Sequence, residues 1–163
     1  MIPRHGSPPR RGIAYRLRPG AYAVLPGPRG LLLTQQWSDL AGWETQLPGG
    51  GIDPGESPRA ALAREVLEET GHACRVLRRL GTHRRFVWMP EYGIHAEKVC
   101  HVYLGRAGVR RGPPTETGHR AVWLSPRAAA AALASPGDAA AVREFYGAAR
   151  TSGAAGAVTG SRA

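Results

Sequence analysis

Residues 50–72, GGIDPGESPRAALAREVLEETGH, join a glycine-rich turn to a segment with strong helix signals. Ser57 suits the N-cap position, where a hydroxyl accepts a hydrogen bond from the first helical amides, and Pro58 at the next position loses no hydrogen bond. Gly71 stands where a helix would end, because glycine is common at helix C-termini. The sequence therefore predicts a helix over residues 58–70.

Three glutamates crowd one side of this predicted helix. At about 100° per residue, Glu65, Glu68 and Glu69 fall within one arc, and the aliphatic residues of the helix occupy the adjoining side, which we expect to face the core: Leu62, Ala63, Val66 and Leu67. The helix dipole disfavours negative charge near a C-terminus, and neighbouring carboxylates repel each other. A solvated acidic face is one interpretation; a site for a hard cation such as Mg²⁺, which would relieve the repulsion, is the other.

Two further features belong to the same stretch of chain. Arg64 lies one helical turn before Glu68, close enough to pair with that carboxylate and orient it. The glycines at positions 49–51 allow either a sharp turn or a close approach of the backbone to phosphate groups. No Gly-Lys-Ser or Gly-Lys-Thr sequence follows them, so this is not a Walker loop.

This stretch resembles the Nudix box of the Nudix (MutT-like) hydrolases. The family pattern is Gly, five residues, Glu, seven residues, then Arg-Glu-aliphatic-any-Glu-Glu-any-Gly-aliphatic. The chain meets it at Gly50, Glu56, Arg64, Glu65, Val66, Glu68, Glu69 and Gly71. Only the last position departs, with His72 where an aliphatic residue is usual, and its place beyond the helix end bears on local packing more than on chemistry.

The resemblance implies an α+β fold of the α/β/α sandwich type, with a mixed β-sheet between helices. It implies that Mg²⁺ or Mn²⁺ is held by the box, with Glu65, Glu68 and Glu69 as ligands and Gly50 beside them. Arg64 and the same three glutamates are the implied catalytic set, and Glu56 would support the loop or a further ion. Glu116, in the loop before the strand AVWL, is the favoured additional ligand, ahead of Glu97 and Glu91.

The implied reaction is hydrolysis of a diphosphate linkage in a nucleoside di- or triphosphate derivative, releasing a nucleotide monophosphate. The proton of the attacking water could be accepted by Glu68, by Glu69 or by a glutamate outside the box. One alternative is removal of diphosphate from RNA 5′ ends. The other is a non-catalytic Nudix-fold sensor of a nucleotide metabolite, against which the complete set of box carboxylates argues.

Residues 82–93, THRRFVWMPEYG, are the best candidates for nucleotide contacts, because they combine basic and aromatic side chains just after the box. We expect Gly49, Gly51, Arg84, Arg85, Trp88 and Tyr92 to bind substrate. Core packing or anchoring of a loop is the alternative for each of the aromatic residues. Signatures that would identify the base, or the group on the far side of the diphosphate linkage, are not clearly present, so the subfamily stays open.

The rest of the chain reads as one domain over residues 13–150, with flexible segments at 1–12 and 151–163. Strands are predicted at 21–26 and 31–37, forming a hairpin, and at 74–88, 95–107 and 121–124. The three glycines interrupt the strand pattern over residues 43–52. An alanine-rich helix after Ser125 and a last helix at 139–150 complete the predicted elements.

Composition indicates the compartment of the protein and the partners that its charge favours. The sequence contains no apolar run long enough to cross a membrane and no leader-like apolar segment near its start, which predicts a cytoplasmic protein. Cys74 and Cys100 are isolated, as expected for structural thiols in a reducing compartment. The formal charge of +10 is spread along the chain, and it favours small phosphate-bearing ligands over RNA as partners. A homodimer is common in the family, although nothing in the sequence shows one.

Overall fold

The computed structural model describes residues 1–39 and 41–156. Seven strands and three α-helices follow one another in this order: β1 (Arg16–Gly27), β2 (Gly30–Ser38), β3 (Gly42–Gln46), β4 (Gly49–Gly51), α1 (Pro58–Thr70), β5 (His72–Met89), β6 (Ile94–Arg110), β7 (His119–Leu124), α2 (Pro126–Ala132) and α3 (Pro136–Gly156). A short 3₁₀ turn, Pro90–Tyr92, joins β5 to β6. Residues 157–163 of the predicted C-terminal tail lie outside the described residues.

Helix α1 has the bounds that its capping signals predict. The Ser57 side chain accepts a hydrogen bond from the Ala60 amide at 3.2 Å. At the other end, Gly71 adopts a left-handed conformation with φ of 71°, and its N–H donates to the Leu67 carbonyl at 2.8 Å. Local sequence therefore determines where this helix begins and ends.

The sheet is mixed, as predicted. Its main path runs β3-β2-β1-β6-β5, with β4 paired to β1 and β7 paired to β2. Strands β1 and β6 are parallel, and the other pairs are antiparallel. The predicted hairpin is present as β1 and β2, and β1 then lies between β2 and β6 at the centre of the sheet.

Helices cover both faces of the sheet, which confirms the predicted α/β/α sandwich. One core lies beneath α1 and contains Ala21, Ala23, Leu25, Leu32, Leu62, Val66 and Tyr103. The other lies beneath α2 and α3 and contains Tyr22, Val24, Leu31, Leu33, Leu47, Cys100, Val102, Ala129, Leu133, Ala139 and Val142. Consecutive β1 residues enter different cores because side chains alternate between the faces of a strand.

Leu67 is an exception to the predicted core side of α1, because it is 39% exposed. Leu62 and Val66 are four residues apart and form the buried stripe, whereas Leu67 lies about 100° further around the helix. The apolar side of this helix is therefore narrower than the sequence suggested.

The segment expected to interrupt the strands instead forms β3 and β4. Gly49 has φ of 140°, and a Cβ there would lie 2.1 Å from the Ala21 carbonyl oxygen. Glycine thus allows β4 to lie unusually close to β1, which the side-chain pattern alone did not indicate. The last helix, Pro136–Gly156, extends beyond the predicted 139–150 at both ends, so residues 151–156 of the predicted tail are helical.

Part of the N-terminal segment lies against β5. The Arg84 amide donates to the Pro3 carbonyl at 2.9 Å, and the His5 amide donates to the Arg84 carbonyl at 3.0 Å. Flexibility of residues 1–12 stays a prediction. Within the described residues, no helix combines the length and apolarity that crossing a membrane requires.

Candidate active site

Arg64 gathers three carboxylates at the surface of α1. Its Nε and Nη2 donate to Glu56 at 3.1 and 3.0 Å, and its Nη1 donates to Glu65 at 2.9 Å and to Glu68 at 3.1 Å. Nη2 also reaches the Gly51 carbonyl at 3.3 Å. The predicted pair with Glu68 is present, and the same guanidinium ties the helix to the loop before it.

Glu69 has a different environment from the other two box glutamates. Glu69 is only 4% exposed, and its Oε2 accepts a hydrogen bond from the Gly49 amide at 2.9 Å. Its Oε1 lies 3.4 Å from Nδ1 of His119. Glu69 therefore points into the protein toward β4 and β7, rather than outward on an open carboxylate face.

A loop before β7 brings Glu116 to the same place. The amides of Thr115 and Glu116 donate to the Glu68 carbonyl at 2.8 and 3.1 Å, so this loop is attached to the last turn of α1. One carboxylate oxygen from each of Glu65, Glu68 and Glu116 lies within 4.8 Å of the others. The loop glutamate that the sequence favoured thus lies beside the box helix, whereas Glu97 pairs with Arg84 at 3.4 Å.

His119 is the residue at this site that sequence reasoning missed. Together with Glu69 and Glu116, it forms a second group whose ligand atoms lie within 4.8 Å of one another. In the sequence, His119 is distinguished only by lying three residues after Glu116. Its place at the first position of β7, and the pairing of β7 with β2, are what bring it to the site.

Burial and like charge control the electrostatics of the cluster. Burial raises the pKa of Glu65 above its usual range, with Glu116 and Glu68 adding to the rise and Arg64 opposing it. Burial also raises the pKa of Glu69 well above its ordinary value, although the Gly49 hydrogen bond opposes that change. The hydrogen bond from Arg64 lowers the pKa of Glu56. One guanidinium therefore faces a surplus of carboxylates, and the cluster favours a cation.

The residues present fit a divalent cation. Glu65, Glu68 and Glu116 offer only carboxylate oxygens, the donor set that a hard ion takes. A Cβ at Gly50 would lie 2.5 Å from the Glu65 carboxyl carbon, so glycine leaves the space that this carboxylate occupies. In the structure, Gly50 therefore makes room for the Glu65 carboxylate. A direct role of Gly50 in the metal site stays a prediction.

Comparison with known proteins agrees with this geometry. The family model for the NUDIX domain matches residues 16–145, which is most of the chain. The chain belongs to the Nudix family of hydrolases. The resemblance of residues 50–72 to the Nudix box is therefore confirmed, and those residues supply α1 and the loop before it.

Individual relatives show how far the likeness extends. The chain is 31% identical over 109 residues, 66% of its length, to a putative 8-oxo-dGTP diphosphatase from Bacillus subtilis. It is 46% identical over 54 residues, 33% of its length, to an RNA pyrophosphohydrolase from Cereibacter sphaeroides. These matches span 66% and 33% of the respective relatives.

Solved structures extend the likeness to the fold. A NUDIX hydrolase from Nitrosomonas europaea superposes with a TM-score of 0.66 at 25% identity, over 82% of this chain and 90% of that one. The predicted Nudix fold is thus confirmed over most of the chain.

Beside the Nudix box, three cations lie in a row across the sheet. Arg18 of β1 pairs in register with Lys98 of β6, and Lys98 pairs in register with Arg85 of β5. Paired residues on neighbouring strands lie on the same face. The Arg18 guanidinium lies 4.8 Å from the centre of the Tyr92 ring and next to Gly51 of the box. Arg18 and Lys98 were not predicted from the sequence.

The predicted substrate residues of β5 are divided between two faces of the sheet. Arg85 belongs to the cationic row, but Arg84 lies on the other face, where it pairs with Glu97. Trp88 follows Arg84 by four residues and so shares its face, where its ring lies 4.7 Å from that of His95. The six predicted residues therefore do not form one surface: Arg85 is part of the cationic row, Gly51 and Tyr92 lie beside Arg18 of that row, Gly49 lies beside Tyr22, and Arg84 and Trp88 lie on the other face.

Proposed function

We propose that this Nudix protein is a metal-dependent pyrophosphohydrolase that cleaves a diphosphate linkage in a nucleoside di- or triphosphate derivative and releases a nucleotide monophosphate. The observation that carries the proposal is the cluster of Glu65, Glu68 and Glu116 beside the glycine strand β4, in which Arg64 holds Glu65 and Glu68. It combines metal-ligating carboxylates with backbone that phosphate groups can approach. Family membership and the complete box favour an enzyme over a non-catalytic nucleotide sensor.

Each residue of the cluster has a role in this proposal. Glu65, Glu68 and Glu116 would hold Mg²⁺ or Mn²⁺, with Glu69 beside them. When bound, the ion supplies neutralisation of phosphate charge and a more acidic water. Arg64 keeps two of these carboxylates in place through hydrogen bonds of 2.9 and 3.1 Å.

The proton acceptor must reach the attacking water, and exposure separates the candidates. The side chains of Glu68 and Glu116 are 40% and 46% exposed, whereas that of Glu69 is 6% exposed and already accepts a hydrogen bond from Gly49. We therefore favour Glu68 or Glu116 as the general base.

A nucleotide-type substrate is supported by the cationic row. Arg18, Lys98 and Arg85 offer positive charge on one face of the sheet, with Arg18 next to Gly51 of β4, and the Tyr92 ring beside Arg18 offers a surface for a base or sugar. Burial lowers the pKa of Lys98, and Arg85 beside it lowers that pKa further against the opposing effects of Cys100 and Asp138, so an anion in contact with Lys98 would gain from neutralising its charge.

The test is a hydrolysis screen with Mg²⁺ or Mn²⁺ over nucleoside triphosphates, dinucleoside polyphosphates and nucleotide sugars. We expect metal-dependent release of a nucleotide monophosphate. Glu68→Gln should lower kcat/KM by about 100-fold or more, because it alters a proposed metal ligand. Glu144→Gln, an exposed carboxylate on α3, is the matched control and should leave turnover unchanged. Full activity in folded Glu68→Gln would contradict the proposal.

Removal of diphosphate from RNA 5′ ends is a second candidate, which the cationic row favours. If it is correct, triphosphorylated RNA will be preferred over free nucleoside triphosphates, and KM will rise steeply with salt. Equal turnover of both substrates with little salt dependence would reject it. Cytoplasmic location and a homodimer stay predictions.

A further inference from the structure

We infer that His119 is a nitrogen ligand, through Nε2, for a divalent transition-metal ion that it holds together with Glu116, so that this position takes Mn²⁺ in preference to Mg²⁺. The inference deepens the proposed metal dependence and rests on that proposed function. It adds a nitrogen donor to a cluster that otherwise offers oxygen.

The two ring nitrogens of His119 have different surroundings. Nδ1 lies 3.2 Å from the Thr34 hydroxyl and 3.4 Å from the Glu69 carboxylate, so its hydrogen has acceptors. Among the described residues, the buried Nε2 has no hydrogen-bond partner. If Nδ1 carries the hydrogen, Nε2 presents a lone pair.

That lone pair lies in the carboxylate cluster. The His119 side chain is 3% exposed, and its Nε2 lies 3.8 Å from the Glu116 Oε1. A neutral imidazole nitrogen and a carboxylate oxygen are both electron-pair donors, so they gain nothing from facing each other unless a cation lies between them. The 3.8 Å separation is too long for a direct hydrogen bond.

The groups that lie beside Nδ1 of His119 support a ligand role for Nε2. Histidines that bind metals usually donate their other ring N–H to a carboxylate or a carbonyl, which holds the ring in place. Here the Thr34 hydroxyl is the hydrogen-bond partner of Nδ1, and the Glu69 carboxylate lies 3.4 Å from the same nitrogen, with its second oxygen held by the Gly49 amide at 2.9 Å. The orientation of His119 is therefore determined by β4, α1 and β7 together.

The donor set predicts the type of ion. Imidazole suits first-row transition metals, whereas Mg²⁺ takes oxygen ligands. Glu116 belongs both to the all-carboxylate group with Glu65 and Glu68 and to the group with Glu69 and His119. It could therefore be shared between an oxygen-only position and the position that contains nitrogen.

The test is pulsed EPR of the full chain loaded with Mn²⁺, in which a directly bound ¹⁴N modulates the electron spin echo. Wild type should show this modulation. His119→Glu, which replaces nitrogen by oxygen, should lose it, and His95→Gln, a histidine on β6, should retain it. In metal titrations, His119→Gln should weaken Mn²⁺ binding by about tenfold or more and change Mg²⁺ binding less.

Bound Mn²⁺ without nitrogen modulation in wild type would overturn the inference, and this reading does not depend on whether the variants fold. Modulation that persists in folded His119→Glu would also overturn it, as would an equal loss of Mn²⁺ and Mg²⁺ affinity in His119→Gln. The hydrolysis screen is a separate readout. Activity without a nitrogen signal would leave the proposed function standing, and a nitrogen signal without activity would leave only the metal site.

Discussion

At the scale of single residues, environment separates side chains of the same type. Glu68 and Glu69 are neighbours in the sequence, yet one reaches solvent beside Arg64 and the other is buried against the Gly49 amide. The periodicity of α1 predicted that both lie on one side of the helix. It could not predict that β4 and β7 would cover Glu69, because those strands come from other parts of the chain.

His83 provides a prediction at this scale. The ring is buried, lies 3.5 Å from Asp138, and would be in contact with any Cβ placed at Gly137. Burial, with His5 and Arg85 nearby, lowers the pKa of His83 from 6.5 to about 4. The native protein therefore keeps this ring neutral at pH values where the unfolded chain protonates it.

The sign of the pH effect follows directly. As pH falls from 6.5 toward 4, the unfolded state takes up a proton that the native state does not, so the free energy of unfolding decreases, by at most about 3 kcal/mol from this group. Urea denaturation at pH 7 and pH 4.5 measures the decrease in the free energy of unfolding between these pH values. The contribution of His83 to that decrease should be present in wild type and absent in His83→Gln. An unchanged pH dependence in the variant would assign the effect to other groups.

At the scale of secondary-structure elements, the site depends on contact between a strand and a helix. β4 is only three glycines long, and it supplies the Gly49 amide to Glu69, space for Glu65 at Gly50 and the Gly51 carbonyl to Arg64. The sequence predicted α1 accurately because caps act locally. It did not predict β4, because three glycines form a strand here only through pairing with β1.

Gly50→Ala tests this contact. The added Cβ would lie 2.5 Å from the Glu65 carboxyl carbon, so either that carboxylate or β4 must move. A displacement of about 1 Å at a reacting site can cost about 100-fold in rate. We therefore expect a loss of that order in kcat/KM with folding retained, measured by steady-state kinetics and circular dichroism.

Gly112→Ala is the matched control, because a Cβ there has no heavy atom within 4 Å and the residue has no positive φ. It should keep wild-type turnover. Wild-type turnover in Gly50→Ala as well would show that the position of Glu65 does not limit the reaction.

At the scale of the whole molecule, charge is distributed unevenly. The chain carries a formal charge of +10, yet Glu56, Glu65 and Glu68 surround a single Arg64, and Glu116 lies close to Glu65 and Glu68. Folding brings Glu65, Glu68 and Glu116 together, and the repulsion between them costs stability in the absence of a cation. A ligand that binds only the native state stabilises it in proportion to the logarithm of its concentration.

We accordingly expect divalent ions to raise Tm. At a free concentration of about 100 times Kd, the gain is about 2.7 kcal/mol, which corresponds to roughly 5–10 °C for a chain of this size. Thermal unfolding with Mg²⁺ or Mn²⁺, against the same sample with EDTA, measures it. The shift with Mg²⁺ should disappear in the double variant Glu65→Gln, Glu68→Gln; an equal Mg²⁺ shift there would place the stabilising ion elsewhere.

Residues 50–72 were sufficient to predict α1, the carboxylate group at its surface and the resemblance that implied a mixed sheet between helices. Capping and the spacing of the box involve residues close together in the chain, so the sequence alone carries that information. The face of each β5 side chain, the burial of Glu69, the row formed by Arg18 and Lys98 with Arg85, and the place of His119 required the tertiary structure. They depend on the register of strands far apart in sequence, which decides what each side chain contacts.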